Sequence, residues 1–187
     1  MTLTAKDWAS EFGDGYTERQ DLDTSERRHF WGALIENYGI KSVLEVGCNT
    51  GTNLAQMEAP LRMGVDVNQH ALDQVPGGIW TTHADATKLP FAANDFDLVF
   101  TFGVLIHIPP DEIEQAMREI VRVSRRYVFC GEYLGDDTVP YRGEILWRRD
   151  YGRLYQDLGL NLVERGSLKG EPWDRNEVHW WLLSKEA

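Results

Sequence analysis

The run Gly47-Cys48-Asn49-Thr50-Gly51 stands directly behind five largely apolar residues, 42–46. Glycines at a strand-to-helix turn let a ligand approach the backbone closely. Two acids fall at matching places further along. Asp66 closes a second apolar run, 19 residues after Gly47, and Asp85 follows a third in His83-Ala84-Asp85-Ala86. A carboxylate in the position of Asp66 accepts from both hydroxyls of a ribose, and one in the position of Asp85 accepts from an adenine amine. Three such features at successive strand ends converge on the crevice where open α/β sheets bind ligands. The type of nucleoside follows from what is missing. A dinucleotide fingerprint needs glycine at the first, third and sixth loop positions, which here are Gly47, Asn49 and Thr52. A phosphate loop needs a lysine that the chain does not have there. Glu45, just ahead of the loop, would repel a pyrophosphate and suits a cationic ligand bearing an ammonium and a sulfonium.

The elements that must position these groups read as alternating helices and strands. Asp23 or Thr24 caps a helix whose Phe30, Trp31, Leu34, Ile35 and Tyr38 form one stripe, and Gly39 stops it. Strands follow at 42–46, 62–67, 79–83, 96–102 and 126–133, with short helices expected at 52–58 and after Asn68. The fourth strand is apolar nearly throughout, as a central parallel strand should be. Pro110 opens a helix that aligns Ile113, Ala116, Met117, Ile120 and Val121. A loop with Gly135, Pro140 and Gly143 precedes a short helix at 151–158. Two last strands, 160–168 and 178–184, are too close for a crossover helix and should pair antiparallel. Alternation of this kind specifies a doubly wound, mostly parallel α/β sheet with helices on both faces. In residues 5–22, Gly13 and Gly15 are expected to break any long helix.

Glu45-x-Gly47-x-Asn49-x-Gly51, Asp66, Asp85-Ala86, and Leu89-Pro90-Phe91 running into Phe96-Asp97-Leu98-Val99 resemble a class I S-adenosylmethionine-dependent methyltransferase. The resemblance spans about residues 40–134. It implies a single Rossmann-like domain over 1–187 with seven strands in the order 3-2-1-4-5-7-6, one of them antiparallel. Within it, 40–134 would be the cofactor core and 135–187 a substrate-side loop with a C-terminal hairpin. Gly47 would contact the methionine part, Asp66 the ribose and Asp85 the adenine, with Glu45, Asn49, Gly51, Val67 and Ala86 around them. Phe102, Gly103 and His107 match the segment after strand four that faces the cofactor. The usual middle glycine is Asn49, a residue that adopts positive φ more readily than other non-glycine types.

A narrower set, Trp8-x-x-x-Phe12-Gly13-Asp14-x-Tyr16-Thr17-x-Arg19 together with Asn49 and Tyr141-Arg142-Gly143, is similar to the pseudaminic acid biosynthesis-associated methylases. That group has Asn at the middle loop position, and has Asn where this chain has Gln20.

Methyl transfer is an in-line displacement in which alignment supplies much of the acceleration. A base is needed only where the acceptor must lose a proton. His107 is the first candidate by position and intrinsic pKa, followed by Tyr16 and Tyr133. Glu132, ending strand five, would orient an amine or hydroxyl, whereas Asp111 and Glu112 suit the first turn of a helix. Residues 1–22 read either as a helix packed on the sheet edge or as a lid in which Trp8, Phe12, Tyr16 and Arg19 fold over the cofactor, exclude water and touch the substrate. From Arg118 to Arg153 there are eight arginines and six acids in a chain of net charge -11. That excess reads either as solvated helix faces or as a local basic site. In the second reading Tyr141, Arg142 and Arg148, with Arg149 and Trp147, receive an anionic acceptor: a sugar acid, a nucleotide sugar or a peptide carboxylate. Arg148 and Arg149 have Asp150 and Glu144 nearby as alternative partners. A cofactor-binding domain without catalysis is the rival from another class.

Composition removes other functions. With 42% apolar and 26% charged residues the 187-residue chain is ordinary for one globular domain. Its acidity disfavours nucleic-acid partners. No run of 18 apolar residues and no apolar core within residues 1–10 argue against a membrane span or a secretory leader, so a cytoplasmic protein is expected. Cys48 and Cys130 make no disulfide framework, and His29, His70, His83 and His179 have no ligand cluster, so no metal is expected. Of the seven tryptophans most are expected in the core, with Trp8 and Trp147 free to line a pocket.

Overall fold

The computed structural model describes residues 2–19, 24–141, 144–170 and 174–185. Five parallel strands, β1 (Ser42–Val46), β2 (Leu61–Asp66), β3 (Trp80–His83), β4 (Phe96–Phe102) and β5 (Ser124–Glu132), form most of one sheet. After a small separate hairpin, β6 (Thr138–Tyr141) and β7 (Glu144–Trp147), come β8 (Asn161–Gly170) and β9 (Asp174–Ser184). The seven-stranded order is β3-β2-β1-β4-β5-β9-β8. Strand β9 runs antiparallel to both β5 and β8, as the short connection before it requires. Leaving the small hairpin out of the count, this is the order 3-2-1-4-5-7-6.

Alternation along each strand sends side chains to two cores. Leu44, Val99, Val128 and Leu183 join one cluster, with Met117 and Ile120 of α5 (Ile113–Val123) and Tyr151 and Tyr155 of α6 (Tyr151–Asp157). Val43, Leu98, Phe100, Phe129 and Leu182 join the other, against Trp31 and Leu34 of α3 (Arg28–Tyr38). A strand covered on both faces has no polar side, which is why β4 reads as a continuous apolar run. Gly39 ends α3 in the left-handed region, φ 60.

Five local expectations change. Residues 52–58 are not a helix but a turn leading into a single 3-10 turn, Leu54–Gln56. The loop of 135–147 contains the β6–β7 hairpin. Thr24 makes no side-chain cap; its hydroxyl donates to the Thr52 carbonyl at 3.3 Å, while Asp23 lies outside the described residues. The break in the N-terminal segment falls at Ser10, which caps α2 (Glu11–Thr17) after the single turn of α1 (Ala5–Trp8). Gly13 and Gly15 lie inside α2. Trp80 is no core residue: it is 68% exposed on edge strand β3. Among the described residues no helix is long and apolar enough to cross a membrane.

Candidate functional site

The carboxyl ends of β1, β2, β4 and β5 open into a cavity of about 740 Å³, roofed by α1 and α2. This is where the topology should put it, because the connections leaving β1 and β4 diverge to opposite faces of the sheet. At Gly47 the chain turns with φ 74, and a Cβ there would lie 2.5 Å from Val104 Cγ2. No other residue allows the loop to pass that close while keeping this backbone conformation. Asn49 holds φ 47, the conformation its type tolerates.

Asp66 sits at the mouth of β2 with each oxygen already oriented. Oδ2 accepts from the Asn49 amide at 2.8 Å and Oδ1 from the Asn68 amide at 2.9 Å. Burial raises its pKa, and these amides oppose the rise. Each carboxylate oxygen has a second lone pair for a ligand hydroxyl. Asp85 is fixed by Thr87, whose amide and hydroxyl both donate to Oδ1 at 2.8 Å.

Glu45 lines the cavity at the end of β1. It is buried, and loss of water pushes its carboxyl up to about 8 against a bond from Asn53 and the charge of Arg27. Oε1 accepts from Asn53 Nδ2 at 2.8 Å, and Asn53 Oδ1 accepts from Arg27 Nη1 at 2.8 Å. Oε2 is buried without a hydrogen-bond partner. Arg27 is only 4% exposed and its guanidinium lies 5.4 Å from the centroid of Phe102. A buried cation and a buried carboxylate bridged by one amide, with an orphaned acceptor beside a glycine loop, fit the zwitterionic head of an α-amino acid. Together with Asp66 and Asp85 the chain therefore has donors and acceptors suited to each part of S-adenosylmethionine.

The roof is tied to the floor by two asparagines. Asn68 Nδ2 donates to the Trp8 carbonyl at 3.0 Å and to Asp14 Oδ1 at 2.9 Å, and Asn49 Nδ2 donates to Thr17 Oγ1 at 3.3 Å. Trp8 packs edge-on against His107 at 4.6 Å and against Tyr16 at 5.1 Å.

Around this cavity the structure gathers Glu45, Gly47, Asn49, Asp66, Val67, Asp85, Ala86, Phe102, Gly103 and His107 from the sequence-derived cofactor set. Trp8, Tyr16, Arg19, Glu132 and Tyr133 line it as well. Other expectations are corrected. Gly51 backs onto Val75 rather than facing the cavity, and serves the turn with φ 71. Phe12 packs behind Trp8 at 5.2 Å, outside the walls. Glu132 accepts from the amides of Val104 at 3.0 Å, Leu105 at 2.9 Å and Ile106 at 3.4 Å, so it holds the turn that carries His107. Burial pushes its carboxyl up to about 7 while those amides pull it down. Arg148 is not at the cavity; its Nε donates to Asp137 at 2.7 Å. Of its expected partners, Asp150 caps α6 by accepting from the Arg153 amide, and the Glu144 side chain lies outside the described residues. Arg149 donates to the carbonyls of Ile108 at 3.0 Å and Leu105 at 3.3 Å. Trp147 lies outside the cavity wall. The Tyr141 side chain and Arg142 lie outside the described residues.

Arg27 and Asn53 were not singled out from sequence. A topological signal was available for Arg27: the helix before β1 runs back along it, so its first turn must reach the carboxyl end of the sheet.

A family model described as a methyltransferase domain matches residues 43–126. A Haemophilus influenzae protein without an assigned function is 34% identical over 49% of this chain and 43% of its own length. A protein of Encephalitozoon cuniculi named as a methyltransferase is 30% identical over 59% of this chain and 55% of its own. The chain thus spans about half the length of the curated relatives it matches. Among solved structures, the magnesium protoporphyrin IX methyltransferase of Synechocystis PCC 6803, crystallised with S-adenosylhomocysteine, superposes with TM-score 0.73 at 13% identity, over 97% of this chain and 98% of that one. The fold is therefore the one seen in this methyltransferase structure, and residues 43–126 match a methyltransferase domain model.

Proposed function

We propose that this chain transfers the methyl group of S-adenosylmethionine to a small acceptor that carries an anionic group. One observation supports the donor above the others. The orphaned Glu45 Oε2 lies in the same cavity as the glycine loop, Asp66 and Asp85. Glu45 would hold the ammonium and Arg27 the carboxylate of the amino-acid head, Asp66 the ribose and Asp85 the adenine, with Val67, Ala86, Phe102 and Gly103 packing around the adenosine. When bound, S-adenosylmethionine supplies a methyl group on a sulfonium, open to in-line attack by an oxygen or nitrogen nucleophile.

The residues of the chain align the acceptor and exclude water. Trp8 and Tyr16 close over His107, and Ile106, Leu146 and Val178 form apolar wall. His107 takes the acceptor's proton where one must leave, and Tyr133 bounds the same space. Glu132 is a positioning group, because its carboxylate organises the turn that holds His107.

The anionic acceptor rests on Arg19, which lines the cavity from the roof, in place of Arg148 and Arg149, which are engaged elsewhere. Trp8, Gly13, Tyr16, Thr17, Arg19 and Asn49, part of the set that carried the resemblance to the pseudaminic acid-associated methylases, line this cavity. That supports a sugar acid or nucleotide sugar as the acceptor. Free, buried Cys48 and Cys130 suit a reducing, cytoplasmic setting.

The test is calorimetric titration with S-adenosylhomocysteine, then detection of its formation from S-adenosylmethionine across acidic, neutral and basic acceptors. Binding of the product cofactor and turnover favouring acidic acceptors are expected. His107→Gln should lower kcat by about 100-fold or more, with cofactor affinity nearly unchanged. Absence of cofactor binding would refute the donor, and a neutral best acceptor would refute the role of Arg19.

A further inference from the structure

One carboxylate serves two masters in this cavity. Asp66, the ribose acceptor in the reading above, fixes the backbone amides of Asn49 and Asn68, at 2.8 and 2.9 Å. The side chains of those same two residues grip the roof. Asn68 is buried, and it uses both ends of its amide: Oδ1 caps α4 (Gln69–Leu72) by accepting from the Ala71 amide at 2.8 Å, and Nδ2 reaches across to the Trp8 carbonyl and Asp14. Asn49 likewise accepts from Thr50 at 2.8 Å and donates to the buried Thr17 hydroxyl. The docking is close enough to exclude any side chain at residue 13. A Cβ on Gly13 would lie 2.6 Å from Asn68 Nδ2 and 1.8 Å from the Trp8 carbonyl oxygen.

We propose that Asn68 and Asn49 are positioning residues that tie the N-terminal helical pair to the ribose-binding carboxylate, so that donor and closed roof stabilise each other. A hydroxyl pair on Asp66 fixes that carboxylate. The carboxylate fixes both loop amides, and the loops then present their asparagine side chains in register for α1 and α2. Coupling of this kind is reciprocal: a docked roof tightens the donor by the factor with which the donor tightens the roof. The roof in turn brings Trp8 to within 4.6 Å of His107, so the same link sets the walls of the acceptor space. The inference rests on the donor assignment made above, and the experiment separates the two.

Asn68→Asp is the discriminating substitution. It keeps the N-cap acceptor for Ala71 and the backbone amide on Asp66, so a merely structural role survives. It removes the Nδ2 donor and sets a carboxylate against Asp14 and the Trp8 carbonyl. Affinity for S-adenosylhomocysteine, measured by calorimetry, should fall about tenfold, inside the usual 5- to 150-fold range of site coupling. Hydrogen exchange of residues 5–17 should slow when S-adenosylhomocysteine binds the wild type, and this slowing should be lost in N68D. Asp14→Asn in the N68D background exchanges donor and acceptor across the contact and should restore most of both effects. Thr17→Val, made on the roof alone, should weaken the same affinity in the same direction. Wild-type binding without protection of 5–17, or N68D with undiminished affinity, would overturn the coupling. A wild type that fails to bind S-adenosylhomocysteine would instead overturn the donor assignment, and the coupling with it.

Discussion

Burial raises the Glu45 carboxyl into the neutral range, and that makes the donor assignment open to a pH experiment. Burial holds its carboxyl up to about 8, with Oε1 bonded to Asn53 and Oε2 without a partner. An ammonium at Oε2 needs the ionised form. Each pH unit below 8 makes that form tenfold rarer, a cost of about 1.4 kcal/mol per unit. Affinity for S-adenosylhomocysteine should therefore rise about tenfold per unit from roughly pH 5.5 to 7 and flatten near 8. Glu45→Gln keeps the Oε1 acceptor for Asn53 and puts an NH₂ where Oε2 was. The loss of one bond to a charged group, about 2 kcal/mol, predicts roughly 30-fold weaker binding at pH 7.5 and a flattened pH dependence. Stability should move the other way. Because the folded pKa lies above the ordinary value of 4.5, the native state binds more protons than the unfolded chain between those values. Stability from this group is full below about pH 4.5 and is lost as pH rises toward 8. The Gln variant should thus be the more stable protein at pH 8 and nearly equal at pH 5, by urea denaturation. Affinity independent of pH between 5.5 and 7, or E45Q binding as tightly as wild type, would refute the reasoning.

Glu132→Ala should destabilise the fold by about 3 kcal/mol, because it strips the acceptor from three amides in the buried turn before His107. Denaturant titration checks this, and unchanged stability with a raised KM would return Glu132 to a substrate-orienting role. Gly47→Ala should weaken S-adenosylhomocysteine at least tenfold, since positive φ adds about 1–2 kcal/mol of strain and the new methyl meets Val104 at 2.5 Å. Val104→Ala in the same chain should recover part of the affinity by relieving the clash, which calorimetry can follow.

The sheet was legible because its signals are local and repeat. Strand β4 announces a central position by lacking a polar face, Gly39 and Gly159 mark helix ends with positive φ, and the short connection before β9 permits only an antiparallel return. The glycine loop, Asp66 and Asp85 were legible for a related reason: each sits at a strand end, and strand ends converge. Elements of three or four residues were not. Strands β6 and β7 sit among Gly135, Pro140 and Gly143, whose turn signals outweigh the weak preference of four-residue strands. The turn at Leu54–Gln56 lies where a loop after the first strand ordinarily enters a helix, so its 3-10 geometry leaves no mark in the sequence. Asn68 was legible as a helix cap, and it is one, but a cap signal describes only Oδ1; the work of Nδ2 across to Trp8 and Asp14 is a contact between residues 54 and 60 positions apart.

Charge shows most directly why summing residues along a chain differs from mapping a field. The arginine excess between Arg118 and Arg153 disappears once partners outside that window are included. Arg118 pairs with Glu114, Arg125 with Asp97 and Arg153 with Asp157, while Arg122 pairs with Glu119 and Arg148 with Asp137 inside it. The exposed pairs among them, Arg118 with Glu114 and Arg153 with Asp157, contribute little to stability and project little field, because water and salt screen them. Arg27 is the opposite case. It lies outside the arginine-rich stretch, yet it is almost wholly removed from water and bridged through Asn53 to a carboxylate in the same condition. In that low-dielectric setting a single charge governs what the cavity accepts. In the proposed function anionic groups are therefore met by Arg27 and Arg19, which line the cavity, rather than in the stretch of sequence where arginines are most numerous.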